Sequence, residues 1–318
     1  KYYEKSAKFV YRNINILKPQ KNLADSLEYK PYSLPKKLRT FYEVKKDFFN
    51  DNVKILLNTH LIKLNFQNNF INEIILSYKK QRANFLIKNQ KIILCCGGLG
   101  NAQILLQNIV DDNKTGIFWN QRILGKNLME HPHYYVGYGL LDIHLINRKP
   151  LNFGPYTNGF SLSYHIRKKY NLLNCTFEPR ISNEKIDNET KKIKNFYEKK
   201  FKKKLIFCKI FSRSEQSPSQ DSYVGLNKEI NQIGLRKLNI NFKISEFDKD
   251  CLFKNTNLFG EELIKNQLGV IKVYKREDFN PMFGGGHTMG TTKMGFSYND
   301  SIVDKNCKVH GTKNFLSE

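Results

Sequence analysis

Residues 284–295, GGGHTMGTTKMG, hold the densest set of groups in this chain that could do chemistry. Three consecutive glycines let a backbone approach something large and flat, because no Cβ stands in the way. His287, which follows them, is the only nearby side chain able to move a proton near neutral pH. Thr288, Thr291 and Thr292 add hydroxyls, and the amides from Gly290 to Thr292 could face a ligand. A second polar group follows at 301–315, SIVDKNCKVHGTKNF. There Asp304 with Asn306 and Cys307 suits a turn whose carboxylate caps backbone amides. The bland reading of His287 is a hydrogen-bonded loop histidine, and His310 in KVHG reads equally as structural or as close to a ligand.

Such a site needs a scaffold. Lys91 to Cys96 (KIILCC) reads as an apolar strand, Gly97, Gly98 and Gly100 as a turn, and Asn101 to Ile109 as a helix. Strand, glycine turn and helix bring free amides and partial positive charge to a phosphate or another electron-rich group. An ordinary connection in a parallel sheet reads the same way. As a dinucleotide fingerprint the stretch fails, because it gives GxGxxQ with no acidic residue about twenty positions on. Val53 to Asn58 (VKILLN) reads as a buried strand. His60 to Phe66, Phe70 to Tyr78 and Ala83 to Ile87 read as strands of a small antiparallel sheet. Residues 1 to 40, with Pro19, Pro31 and Pro35, read as irregular chain with one helix at most, and Leu38 to Phe49 as a short helix. From Tyr134 onward, short strands at 134–140, 160–166, 175–179, 205–211 and 238–244 and a charged helix near 188–204 predict a second domain on an antiparallel sheet.

HTMGTTKMG followed by IVDKNCKVHGTKNF resembles the C-terminal signature of the glucose-methanol-choline (GMC) flavin oxidoreductases, HxMGTT(R/K)MG then VVDxxCRVHGxxNL. Other stretches are similar to that family too. GGLGNAQILL resembles its GGxxNARLLL, NVKILLNTHLIKL its NVTVLTNAxVxRI, GKNLMEHP its GRNLMDHP, and EQSPSQDSYVGL its EQxPNPDSRVTL. The resemblance implies an α/β (α+β mix) fold: part of an FAD-binding Rossmann-like domain plus a substrate domain on an antiparallel sheet with flanking helices. The implied boundaries are 1–133, 134–275 and 276–318, the last returning to the FAD-binding part. It implies FAD as cofactor and oxidation of the CH–OH group of an alcohol or sugar, with His287 as the catalytic base and hydride passing to flavin N5. It places Val53, Gly97, Gly98, Asn101, Gly290, Thr291, Asp304 and His310 at the cofactor. Lys293 stands where the family usually has Arg, which keeps the charge and loses the fork. The family's GxGxxG strand and its final segment, with a second catalytic His or Asn, have no counterpart here, so the expectation is a partial enzyme.

The net charge of +24 would suit a polyanion as partner. Yet the lysines are spread along the chain, and the dense run KNFYEKKFKKK at 194–204 reads as a solvated helix face. No nucleic acid is expected. A basic binding module, or an inactive protein of the same fold, are the alternative readings. His131 and His133 form HxH without a third ligand at metal spacing, so no metal is expected. Six cysteines without CxxC read as reduced thiols. With neither an apolar leader nor a span in view, the expected location is the cytoplasm.

Overall fold

Most of the strand segments beyond Tyr134 assemble, together with residues 27–33, into one six-stranded sheet in a computed structural model that describes residues 24–33, 52–79, 81–111, 122–146, 156–279 and 285–318. The first strands are β1 (Leu27–Ser33), β2 (Thr59–Gln67), β3 (Phe70–Tyr78), β4 (Gln81–Leu86), β5 (Ile92–Leu94), β6 (His133–Asp142) and β7 (Tyr156–Leu162). They are followed by β8 (Cys175–Ile181), β9 (Leu205–Ser214), β10 (Tyr223–Ile230), β11 (Arg236–Asn241), β12 (Gly269–Val273) and β13 (Phe315–Ser317). The helices are α1 (Gly97–Asp111), α2 (Ile143–Ile146), α3 (Tyr164–Lys169), α4 (Asn188–Phe201) and α5 (Glu246–Lys265). The chain divides into two units. One holds Lys1–Phe49, His131–Glu215 and Glu246–Phe283; the other holds Asn50–Glu130, Gln216–Ser245 and Gly284–Glu318.

In the first unit the sheet runs β1-β7-β8-β9-β6-β12, and every neighbouring pair is antiparallel. Successive side chains of a strand point to opposite faces. Cys175, Phe177, Cys208 and Ile210 face a core with Phe160, Leu162 and the Leu252, Phe259 and Leu263 stripe of α5. Phe177 and Phe259 stack at 4.4 Å, and burying each such ring contributes about 1.5–3 kcal/mol. On α5 the buried Asn255 and Thr256 return bonds to the Cys251 and Leu252 carbonyls, so polar residues sit inside the helix without losing a partner. Helix α4 is capped by Asp187, whose carboxylate accepts the Thr190 amide at 2.7 Å. It buries Tyr197 beside Leu140 and Leu205 and leaves most of its lysines at the surface, as a solvated face would.

β1 corrects the reading of residues 1–40 as irregular. It pairs in full register with β7, and Pro31 is tolerated because β1 is the sheet edge. The helix expected at Leu38–Phe49 lies outside the described residues.

The second unit holds the antiparallel β2-β3-β4 sheet, the β10-β11 hairpin, the parallel β5-β13 pair and α1. Ile71, Leu64, Leu94, Leu105, Val309 and Phe315 form its core. Gln216–Ser245, read from sequence within the substrate domain 134–275, belongs to this unit, because Val224 and Leu238 of the hairpin pack with Ala102 and Leu128. Val53 to Asn58 is not a buried strand. It has no regular structure and is exposed, Leu57 by 73%, because an apolar run becomes a strand only where another strand offers amides and carbonyls, and no described strand lies along it.

Candidate functional site

Strand β5 delivers the chain to Gly97, whose φ of +71° turns it into α1. The helix starts here, four residues earlier than its apolar pattern predicts. Asn101, fully buried, ties this corner together. Its Oδ1 accepts the Cys96 amide at 2.7 Å, and its Nδ2 donates to the Glu318 carbonyl. Gly98 allows the signature loop to come close: a Cβ there would lie 2.7 Å from the Thr288 carbonyl oxygen. The Thr291 hydroxyl donates to the Gly98 carbonyl at 2.5 Å.

A second segment clamps the loop from the other side. Met289 and Met129 exchange both backbone bonds, at 2.9 and 3.0 Å, and the Gly125 amide donates to the Thr291 carbonyl. The Gly286 amide donates to Glu130 Oε2 at 2.8 Å, so the backbone is fixed on both sides of His287. Between these parts lies a cavity of about 330 Å³ lined by Cys95, Gly97, Gly98, Thr288, Met289, Gly290, Thr292 and Glu318. His287 is exposed and directly precedes the lining residue Thr288. Burial, and then the hydrogen bond and charge of Glu318, push the Cys95 thiol pKa up, which keeps it protonated.

The predicted residues therefore fall into three groups. Gly97, Gly98 and Gly290 line the cavity, and Asn101 and Thr291 hold its walls from behind. Asp304 and His310 shape the return loop: Asp304 Oδ1 accepts the amides of Asn306 at 2.8 Å and Lys308 at 3.0 Å, and Cys307 takes a φ of +62°. His310 Nε2 lies 3.0 Å from the Ser301 hydroxyl. Val53 belongs to the exposed segment that precedes β2. Sequence reasoning missed Cys95 and Glu318 as lining residues. Strand alternation signals Cys95 only weakly, and Glu318 arrives through the β13 pairing with β5, a contact across more than two hundred residues.

The Asp304 turn predicts a pH dependence. Burial opposes ionisation there, but the two amides, with His310 and Lys308, hold the carboxyl below its ordinary value. A lowered folded pKa makes the contribution full above about pH 4 and lost as pH falls through the folded value. The urea midpoint of the natural protein should exceed that of Asp304→Asn at about pH 6, and the gap should close as the pH falls below about 4.

Residues 218–316 match the family model described as GMC oxidoreductase. Over this stretch the chain is similar to the GMC oxidoreductases. Both the loop that walls the cavity and the return loop lie in the matched stretch. No curated protein matches the sequence. Among solved structures, pyridoxine 4-oxidase from Mesorbium loti is similar with a TM-score of 0.55 at 13% identity, over 91% of this chain and 58% of that one. Formate oxidase from Aspergillus oryzae, carrying R554A, gives 0.49 at 16% identity over 87% and 57%. An FAD-dependent oxidoreductase from Chaetomium thermophilum gives 0.49 at 12% over 84% and 57%. At such identity the first likeness speaks to the fold, a mixed α/β architecture with antiparallel sheets. The chain spans 58% of that structure's length.

Proposed function

We propose that this GMC chain serves the FAD-dependent oxidation of a CH–OH group in an alcohol or sugar, with His287 as the base. The observation that carries the reading is the cavity itself: residues of the GMC signature and of the strand-turn-helix corner meet around it. The residues fit a flavin. Gly97 and Gly286, both at positive φ, have no atom of the described residues within 4 Å of where a Cβ would stand, chain neighbours aside, so their backbones are left open to a neighbour. Thr288 and Thr292 line the same space.

Gly97, Gly98, Gly290 and Thr292 would hold the ring system, with Asn101 and Thr291 fixing the walls behind it. The flavin supplies the hydride acceptor when bound. His287 takes the hydroxyl proton from the substrate, and the clamp from Glu130 to Gly286 and from Met129 to Met289 limits how far its backbone can wander. Proton removal by a positioned base contributes roughly 10²- to 10⁴-fold.

The test is an absorbance spectrum of the purified full chain with added FAD. The reading expects a bound visible flavin band that candidate alcohols or sugars bleach. His287→Ala should keep the band and slow its bleaching roughly 10²- to 10⁴-fold. A flavin that binds and bleaches as fast in the variant would remove His287 from the role. Absence of binding would remove the oxidation from this chain acting alone.

A further inference from the structure

A second cluster of functional groups lies in the first unit, on the β6-β8-β9 part of the large sheet. Tyr135, Glu178 and Phe211 sit side by side across three strands, in register. Glu178 is buried, 3% exposed, and its two carboxylate oxygens are taken by two different arginines. Arg180 Nε donates to Oε1 at 3.0 Å, and Arg213 Nη1 to Oε2 at 2.5 Å. One arginine would neutralise the carboxylate. Counted over Glu178, Arg180 and Arg213 alone the charge is positive, and neither cation is buried: their side chains are 38% and 31% exposed.

The cations are also held still. The Arg180 guanidinium lies 3.7 Å over the Phe211 ring, and its Nη1 donates to the Tyr135 hydroxyl at 3.0 Å. That last bond has a chemical consequence. A tyrosine oxygen that accepts from Arg180 keeps its own O–H to donate elsewhere, and Tyr135 is 37% exposed. Arginine has donors only. The cluster therefore offers donors and positive charge, with its one carboxylate already occupied. Lys209, directly opposite Arg180 in the register, adds a further cation and is itself paired with Glu184.

We propose that Arg180, Arg213 and Tyr135 form a binding site for a small oxyanion, a carboxylate or a phosphate group, with Glu178 and Phe211 as the groups that hold the arginines in place. Charge-assisted bonds to a guanidinium fork are the strong members of their class, and preorganisation removes much of the ordering cost. Its residues all belong to the first unit, and the proposal stands whether or not the oxidation reading holds.

The test uses the full chain, labelled with ¹⁵N, at constant ionic strength. Acetate and inorganic phosphate are titrated separately while the Arg180 Nε–H resonance is followed; whichever moves it saturably names the group. Arg180→Gln should weaken binding at least ~10-fold, and Tyr135→Phe ~3- to 10-fold, since it removes the outward donor and one of the bonds that hold Arg180. Lys228→Gln removes one charge elsewhere and should leave the affinity unchanged. Arg180→Lys keeps a cation beside buried Glu178, so it reports on loss of the fork in a chain that retains its ion pair. The proposal fails if neither anion shifts the resonance, or if Lys228→Gln weakens binding as much as Arg180→Gln.

Discussion

Gly290→Ala is expected to unseat the signature loop and cost at least about 3 kcal/mol, the sum of left-handed backbone strain and a clash that side-chain motion cannot relieve. Gly290 has a φ of +92°, and a Cβ there would lie 2.0 Å from the backbone carbonyl oxygen of Asn127. The obstacle is a main-chain atom in the segment that clamps the loop. Relief requires the Met129–Met289 exchange to break or the Gly125 amide to leave the Thr291 carbonyl. Either movement displaces Thr288 and Thr292, two walls of the cavity. Gly286→Ala separates strain from clash: φ is +81° there, but nothing stands within 4 Å, so only the conformational cost of about 1–2 kcal/mol should appear. Urea midpoints of the two variants, read beside their flavin spectra, check both parts. Equal midpoints would show that the clamp yields and that Gly290 is dispensable.

This contrast also shows what the sequence could tell and what it could not. GGGH and MGTT announced a close approach of backbone, yet the glycines do different work. Gly98 and Gly290 make room for the chain's own carbonyls, whereas Gly97 and Gly286 leave room for something else. Nothing in the letters separates the two, because the neighbour that decides is more than a hundred residues away. Strands such as β8 and β9 were legible as short apolar segments, and the Asp304 turn from side-chain chemistry that acts within four residues. Val53 to Asn58 misled for the opposite reason. Apolar composition is a local property, while being a strand depends on a partner that composition does not supply. β1 was hidden by its proline, which is harmless at an edge and forbidden at a centre, and edge position is a property of topology.

Asn101→Ala is the second large effect expected, about 2–4 kcal/mol, with loss of the cavity's shape ahead of loss of the fold. The side chain looks in sequence like an ordinary residue at a helix start. In the structure it lies within α1, fully buried, and joins the end of β5 to the residue after β13. Removing the amide leaves the Cys96 N–H and the Glu318 carbonyl without it, and an unsatisfied polar group of this kind costs about 1–3 kcal/mol. Cys95, Gly97 and Glu318 line the cavity within one or two residues of these atoms, so flavin affinity should fall together with stability. Asn101→Asp tests the donor separately. It keeps an acceptor for the Cys96 amide but points a carboxylate at the Glu318 carbonyl, so near neutral pH it should rescue little. Amide hydrogen exchange at Cys96 gives the local readout. Rapid exchange in Asn101→Ala and slow exchange in Asn101→Asp, with flavin affinity low in both, would assign the cavity's shape to the bond from Asn101 Nδ2 to Glu318. Full affinity in Asn101→Asp would transfer that role to the Cys96 bond alone.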